Sequence, residues 1–177
     1  MNQLKQWYEI DTELLEKEKI AMSKSFPQFK LEILDDGRLS WIGEIQSPFN
    51  KCSYTLMVVY MSNHPYWLMG SSIKIYMIEP DEKVYCGVLR PEDTPFDLCS
   101  QTCMDSNGSL FQAVWIHEGV VTPSYSAAKE LSHYLAWMFI RECQIESNTP
   151  GSIDWLLLKR IYPSLDTTIK KLLYGKI

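Results

Sequence analysis

The sequence predicts an α+β domain: an N-terminal helix, a four-stranded antiparallel meander, a long irregular stretch and then C-terminal helices. Three observations carry that expectation. Apolar residues recur at helical spacing at both ends of the chain, short runs bounded by turn residues fill the middle, and no polar linker or internal repeat divides the whole. At 177 residues the chain fits a single domain over 1–177, with enough length to bury a core.

Residues 3 to 22 read as the first helix, with Leu4, Trp7, Tyr8, Leu14, Leu15 and Met22 near helical spacing and charged residues between them. Phe26-Pro27 ends it, because proline restricts the residue before it and donates no hydrogen bond. Phe29 to Leu34 is the first strand, closed by Asp35-Asp36-Gly37, a hairpin signal because Asp-Gly tolerates positive φ. Leu39 to Ile45 is the second. Tyr54 to Met61 is almost wholly apolar and therefore central. Ile73 to Ile78 is the fourth, ended by Glu79-Pro80.

Residues 81 to 121 read as irregular, and long loops in compact domains are often functional. Thr122-Pro123 is a suitable N-cap and first-turn pair for a helix running 123 to 145. Leu110, Phe111, Ala113, Val114 and Trp115 form an apolar cluster, expected to put Phe111 against that helix. Short helical stretches follow at 153–161 and 164–174.

Composition excludes several functions. Apolar residues at 46% and charged residues at 22% fit a soluble protein, and no apolar run approaches the roughly 20 residues of a spanning helix. A net charge of -5 argues against nucleic acid or an anionic membrane as the main partner. No signal peptide is legible, and five cysteines, an odd number, suit reduced thiols in a cytoplasm.

The order of elements resembles a ubiquitin-conjugating (UBC) enzyme, and local features match it. Phe26-Pro27-Gln28-Phe29 is similar to that family's helix–strand junction. Leu39-Ser40-Trp41-Ile42-Gly43-Glu44-Ile45 resembles its second strand, and Tyr54 to Tyr60 followed by His64-Pro65-Tyr66 its third strand and the turn behind it. Asp105 to Leu110 and Thr122-Pro123 resemble the active-site turn and the next helix. The likeness covers about 5–145 and leaves 146–177 as a helical extension.

The resemblance implies a transferase that carries a ubiquitin-like protein, or a partner's C-terminus, as a cysteine thioester and meets an activating enzyme through its first helix. Lys5, Gln6, Glu9 and the loop around Trp67 are the contacts it implies. Bacterial relatives occur in anti-phage conjugation operons, which makes a ubiquitin-like conjugation or defence pathway the expected setting. Two departures stand against the active pattern. Phe111 occupies the place of the usual cysteine, and Gln101-Thr102-Cys103 replaces the histidine-led element before it. A second alignment sets Thr94-Pro95-Phe96 at that element and again lacks the histidine.

Cys103, eight residues before Phe111, and Cys99, twelve before it, are therefore the candidate thiols. A thioester carrier needs a partly exposed thiol near donors for the developing oxyanion, and Asn107 could supply a side-chain amide. Cys52, Cys86 and Cys143 lie at strand or helix runs and are expected to pack. No cofactor is expected. A zinc site from Cys86, Cys99, Cys103 and His117 is conceivable, but lacks a second cysteine pair at ligand spacing. The alternative to a displaced-thiol enzyme is a catalytically inactive UBC-fold binding or scaffold subunit.

Overall fold

The computed structural model describes residues 5–62, 64–66, 72–79, 98–104, 110–116, 126–147 and 155–175, with the backbone alone at 98–104, 110–116, 144–145 and 155. It is an α+β structure in which one mixed-length antiparallel sheet carries helices on one face.

The N-terminal helix is two pieces, α1 (Trp7–Ile10) and α2 (Thr12–Ser25). The single helix expected from periodicity breaks at Asp11, whose carboxylate accepts the Leu14 N–H at 2.9 Å. An aspartate that caps the second piece must leave the helical backbone of the first. α2 runs on to Ser25, where Phe26-Pro27 stops it as expected.

β1 (Lys30–Ile33), β2 (Leu39–Gln46), β3 (Ser53–Tyr60) and β4 (Ile73–Glu79) pair consecutively and antiparallel. The Asp35-Asp36-Gly37 turn joins the first two, with Gly37 at φ 83. β3 lies between β2 and β4, which explains its apolar run. Gly43 in β2 is a second glycine with a geometric reason. A Cβ there would come within 2.6 Å of the Phe29 ring, so only a hydrogen lets that ring pack across the strand.

The stretch expected to be irregular contains two more strands, β5 (Leu98–Met104) and β6 (Leu110–Ile116). They form a hairpin, and β6 inserts beside β4, giving the order β1-β2-β3-β4-β6-β5. In a strand, neighbouring residues take opposite faces. Gln112 pairs with Ile75, a residue of the core under the helices. The side chain of Phe111, expected against the helix that follows Pro123, lies outside the described residues.

α3 (Ala127–Glu146) crosses the sheet, while the Thr122-Pro123 cap expected for it lies outside the described residues. Nearly every described residue from Ala127 to Ile140 is buried, because the helix packs against α2 and α5 (Leu165–Tyr174) as well as against the sheet. Leu158 of α4 (Trp155–Ile161) and Leu165 and Ile169 of α5 join the same core as Tyr54, Leu56, Val58 and Tyr60. The C-terminal extension is thus part of the domain. Phe49, in the β2–β3 loop, stacks edge-on with Phe139 at 5.9 Å and with Tyr162 at 5.8 Å.

Glu18 ties the layers together. Its side chain is 4% exposed. One carboxylate oxygen accepts the Tyr60 hydroxyl at 2.6 Å and the Ala127 N–H at 2.8 Å. Tyr60 in turn accepts the Trp41 indole N–H at 3.0 Å. A carboxylate at the N-terminus of α3 also meets the positive end of the helix dipole. Replacing Glu18 by Ala strands a buried hydroxyl and a buried N–H. It is expected to lower stability by about 2–4 kcal/mol in denaturant titration, with Glu18→Gln costing less because the amide oxygen still accepts.

Candidate functional site

The two candidate thiols lie on a strand, not in a loop. Cys99 is paired with Trp115 and Cys103 with Phe111 across the β5–β6 ladder. The loop placement inferred from the sequence is corrected by the seven-residue pairing, which commits alternate backbone groups of β5 to β6. Cys99 and Cys103 stand four positions apart along β5, with the whole of the strand in register with β6. Asn107, Cys86, His117, Trp67 and Thr94-Pro95-Phe96 lie outside the described residues. Among the described residues no group of three or more His, Cys, Asp or Glu side chains is arranged to hold a metal.

Of the remaining cysteines, Cys143 is buried as expected, while Cys52 is exposed just before β3. Burial, with Glu142 next to it in sequence, pushes the Cys143 thiol up to about 12. A thiol held protonated is a poor nucleophile. Aromatic disulfide reagents at neutral pH are expected to label Cys52 in the folded protein and to reach Cys143 only after unfolding.

The ionisable groups that the structure does bring inside were not singled out as functional residues by sequence. Glu142 accepts the Ser47 hydroxyl at 2.5 Å and the Tyr54 hydroxyl at 2.7 Å, which pins the β2–β3 loop to α3. Burial raises its pKa, and these hydrogen bonds oppose the rise. Burial likewise raises Glu18, against its bonds from Tyr60 and Ala127. A usable signal existed for both. Glu18 follows Leu14 and Leu15 on one helical stripe, and Glu142 follows Leu131, Leu135 and Met138 on another, so each carboxylate continues an apolar face.

His64 is 2% exposed, set against the rings of Trp7 at 4.5 Å and Tyr60 at 4.8 Å. Its Nδ1 lies 3.0 Å from the Ser72 hydroxyl, and burial lowers its pKa to about 4. A neutral imidazole locked among aromatic rings serves packing. On α3, Glu130 and His133 are also buried, one turn apart. Burial raises Glu130 to about 8 and lowers His133 to about 4.

Lys5 is exposed, but Gln6 and Glu9, contacts implied by the resemblance, are engaged locally: the Gln6 N–H donates to the Glu9 carboxylate at 2.8 Å as α1 begins. Tyr8 anchors the same turn by donating to the Gly37 carbonyl at 2.9 Å. Tyr66, beyond His64-Pro65, is 75% exposed.

Comparison with known families, characterised proteins and solved structures returned no match to this chain.

The buried acids set a pH dependence. Glu130 keeps its proton in the folded chain up to about pH 8, whereas its ordinary value is 4.5. Between those values the folded state binds more protons than the unfolded one, so stability falls as pH rises. His133 acts on the other side: its stability contribution is lost as pH falls below its ordinary 6.5 toward about 4. In thermal melts across pH 5 to 8.5, Glu130→Gln is expected to flatten the alkaline limb and leave the acid limb in place.

Proposed function

We propose that this protein is a catalytically inactive, UBC-like binding subunit of a bacterial ubiquitin-like conjugation pathway, acting in the cytoplasm on protein partners. The observation that carries the reading is the pairing of Cys103 with Phe111 in a regular strand ladder. A thioester carrier needs an accessible thiolate beside free hydrogen-bond donors. Here the residue at the family's cysteine position is Phe111, the histidine-led element is absent, and the neighbouring thiols belong to a strand.

The partners this reading names are a ubiquitin-like protein, or a modified partner C-terminus, and its activating enzyme. Tyr66 offers an exposed aromatic side chain of the kind enriched in protein interfaces. No described helix is long and apolar enough to cross a membrane.

The second reading, an active conjugating enzyme with a displaced thiol on Cys103 or Cys99 and Asn107 as oxyanion donor, is favoured by those two thiols near the family's active-site turn. One experiment separates the two. The ubiquitin-like protein and activating enzyme from the same gene neighbourhood are incubated with wild-type protein and with a variant carrying serine at all five cysteines. The inactive reading expects no thiol-sensitive adduct on wild type and undiminished capture by the variant. A reductant-labile adduct on Cys103 or Cys99, lost in the variant, establishes the enzyme instead.

A further inference from the structure

The two edges of the sheet are built differently. β1, at one edge, has four residues, of which Lys30 and Glu32 are charged. Short length and charge are how proteins blunt an edge against further pairing. β5, at the other edge among the described strands, has seven residues, Leu98-Cys99-Ser100-Gln101-Thr102-Cys103-Met104, with no charge, proline or glycine. Its inner side is paired with β6 along the whole strand, and in an antiparallel ladder the alternate backbone groups point to the outer side.

The sequence of that strand says what fits against it. Read from either end toward Gln101 it has the same chemical order: an aliphatic residue or methionine, a cysteine, a hydroxyl residue, then the glutamine. An antiparallel pairing of the strand with itself, centred on Gln101, sets Leu98 opposite the partner's Met104 and Cys99 opposite the partner's Cys103. Ser100 then stands opposite the partner's Thr102, and Gln101 opposite the partner's Gln101. Every cross-strand pair joins like with like, and hydroxyl and apolar pairs of this kind stabilise a ladder.

We propose that two copies of this chain pair through the outer edge of β5 about a two-fold axis at Gln101, forming one sheet continuous across both. The arrangement is isologous, so it closes as a dimer and leaves β1, the blunted edge, at each end. It gives Cys99 and Cys103 a place in a self-complementary contact. It rests on the strand edge and not on the inactive-subunit reading, and either can fail without the other.

The test uses the charge and the thiols of this register. Light scattering on size-exclusion chromatography should give wild type about twice the 20.6 kDa chain mass. Q101E and Q101K each place like charges at the axis, so each alone should run as a monomer, and an equimolar mixture should recover the dimer. In a C52S/C86S background, a short bifunctional thiosulfonate should link a mixture of the C99S and C103S variants, joining Cys103 of one chain to Cys99 of the other. Neither variant should link to itself, because like cysteines would stand about 13 Å apart along the strands. Wild type running as a monomer at the highest soluble concentration overturns the proposal, as do single variants that link as readily alone as mixed. Retention of the dimer by both Q101E and Q101K overturns this register.

Discussion

The Glu18 carboxylate sits where three parts of the chain converge: α2 that carries it, β3 through Tyr60, and the first turn of α3 through the Ala127 N–H. A buried carboxylate is costly unless its oxygens are hydrogen-bonded, and these two donors, with the helix dipole behind one of them, meet that condition. Trp41 extends the chain of bonds into β2 by donating to Tyr60. The position of α3 over the sheet is therefore specified at its N-terminus by direction-dependent bonds and not by apolar contact alone. At its C-terminal half Glu142 does the same through Ser47 and Tyr54. Two carboxylates, one contributed by α2 and one by α3 itself, anchor both ends of the central helix.

That arrangement has a bearing on function. The ionisable groups that are well held in this structure hold layers together. Glu18 and Glu142 have their oxygens occupied by structural donors, and His64 is enclosed by Trp7 and Tyr60. Cys99 and Cys103 lie on a strand that is paired along its length with β6. The Glu18 and Glu142 side chains are committed to fixing geometry, which is the role the structure shows for them.

Much of the fold was legible from residues. The alternation in 39–45, the apolar run of 54–61 and the Asp-Asp-Gly turn led to strands within one or two residues of those observed, because each obeys a local rule of spacing or backbone conformation. The elements missed have physical reasons. Leu98 to Met104 has only one β-branched residue and no aromatic one, so its strand character comes from pairing with β6 and not from propensity. Leu110 to Ile116 looked like an apolar cluster because only Gln112 interrupts it. The break at Asp11 follows from a side chain short enough to cap, which the apolar spacing of residues 3 to 22 does not register. Glu18 and Glu142 are buried although charged residues are ordinarily exposed, and only their place on an apolar stripe marks them. The strand that carries Cys99 and Cys103 depends on pairing that no single segment encodes.

The bond from Ala127 to Glu18 spans 109 residues. A chain made from its N-terminus onward completes α2 and the β1–β4 meander well before α3 exists. During that interval Tyr54, Leu56, Val58, Ile73 and Ile75 lack the cover of α3, and the Glu18 carboxylate lacks the Ala127 N–H. The meander's hairpins are local and quick to form, whereas the layer that shields them arrives last. Synthesis from the N-terminus thus leaves one apolar sheet face uncovered by α3 until the final third of the chain emerges.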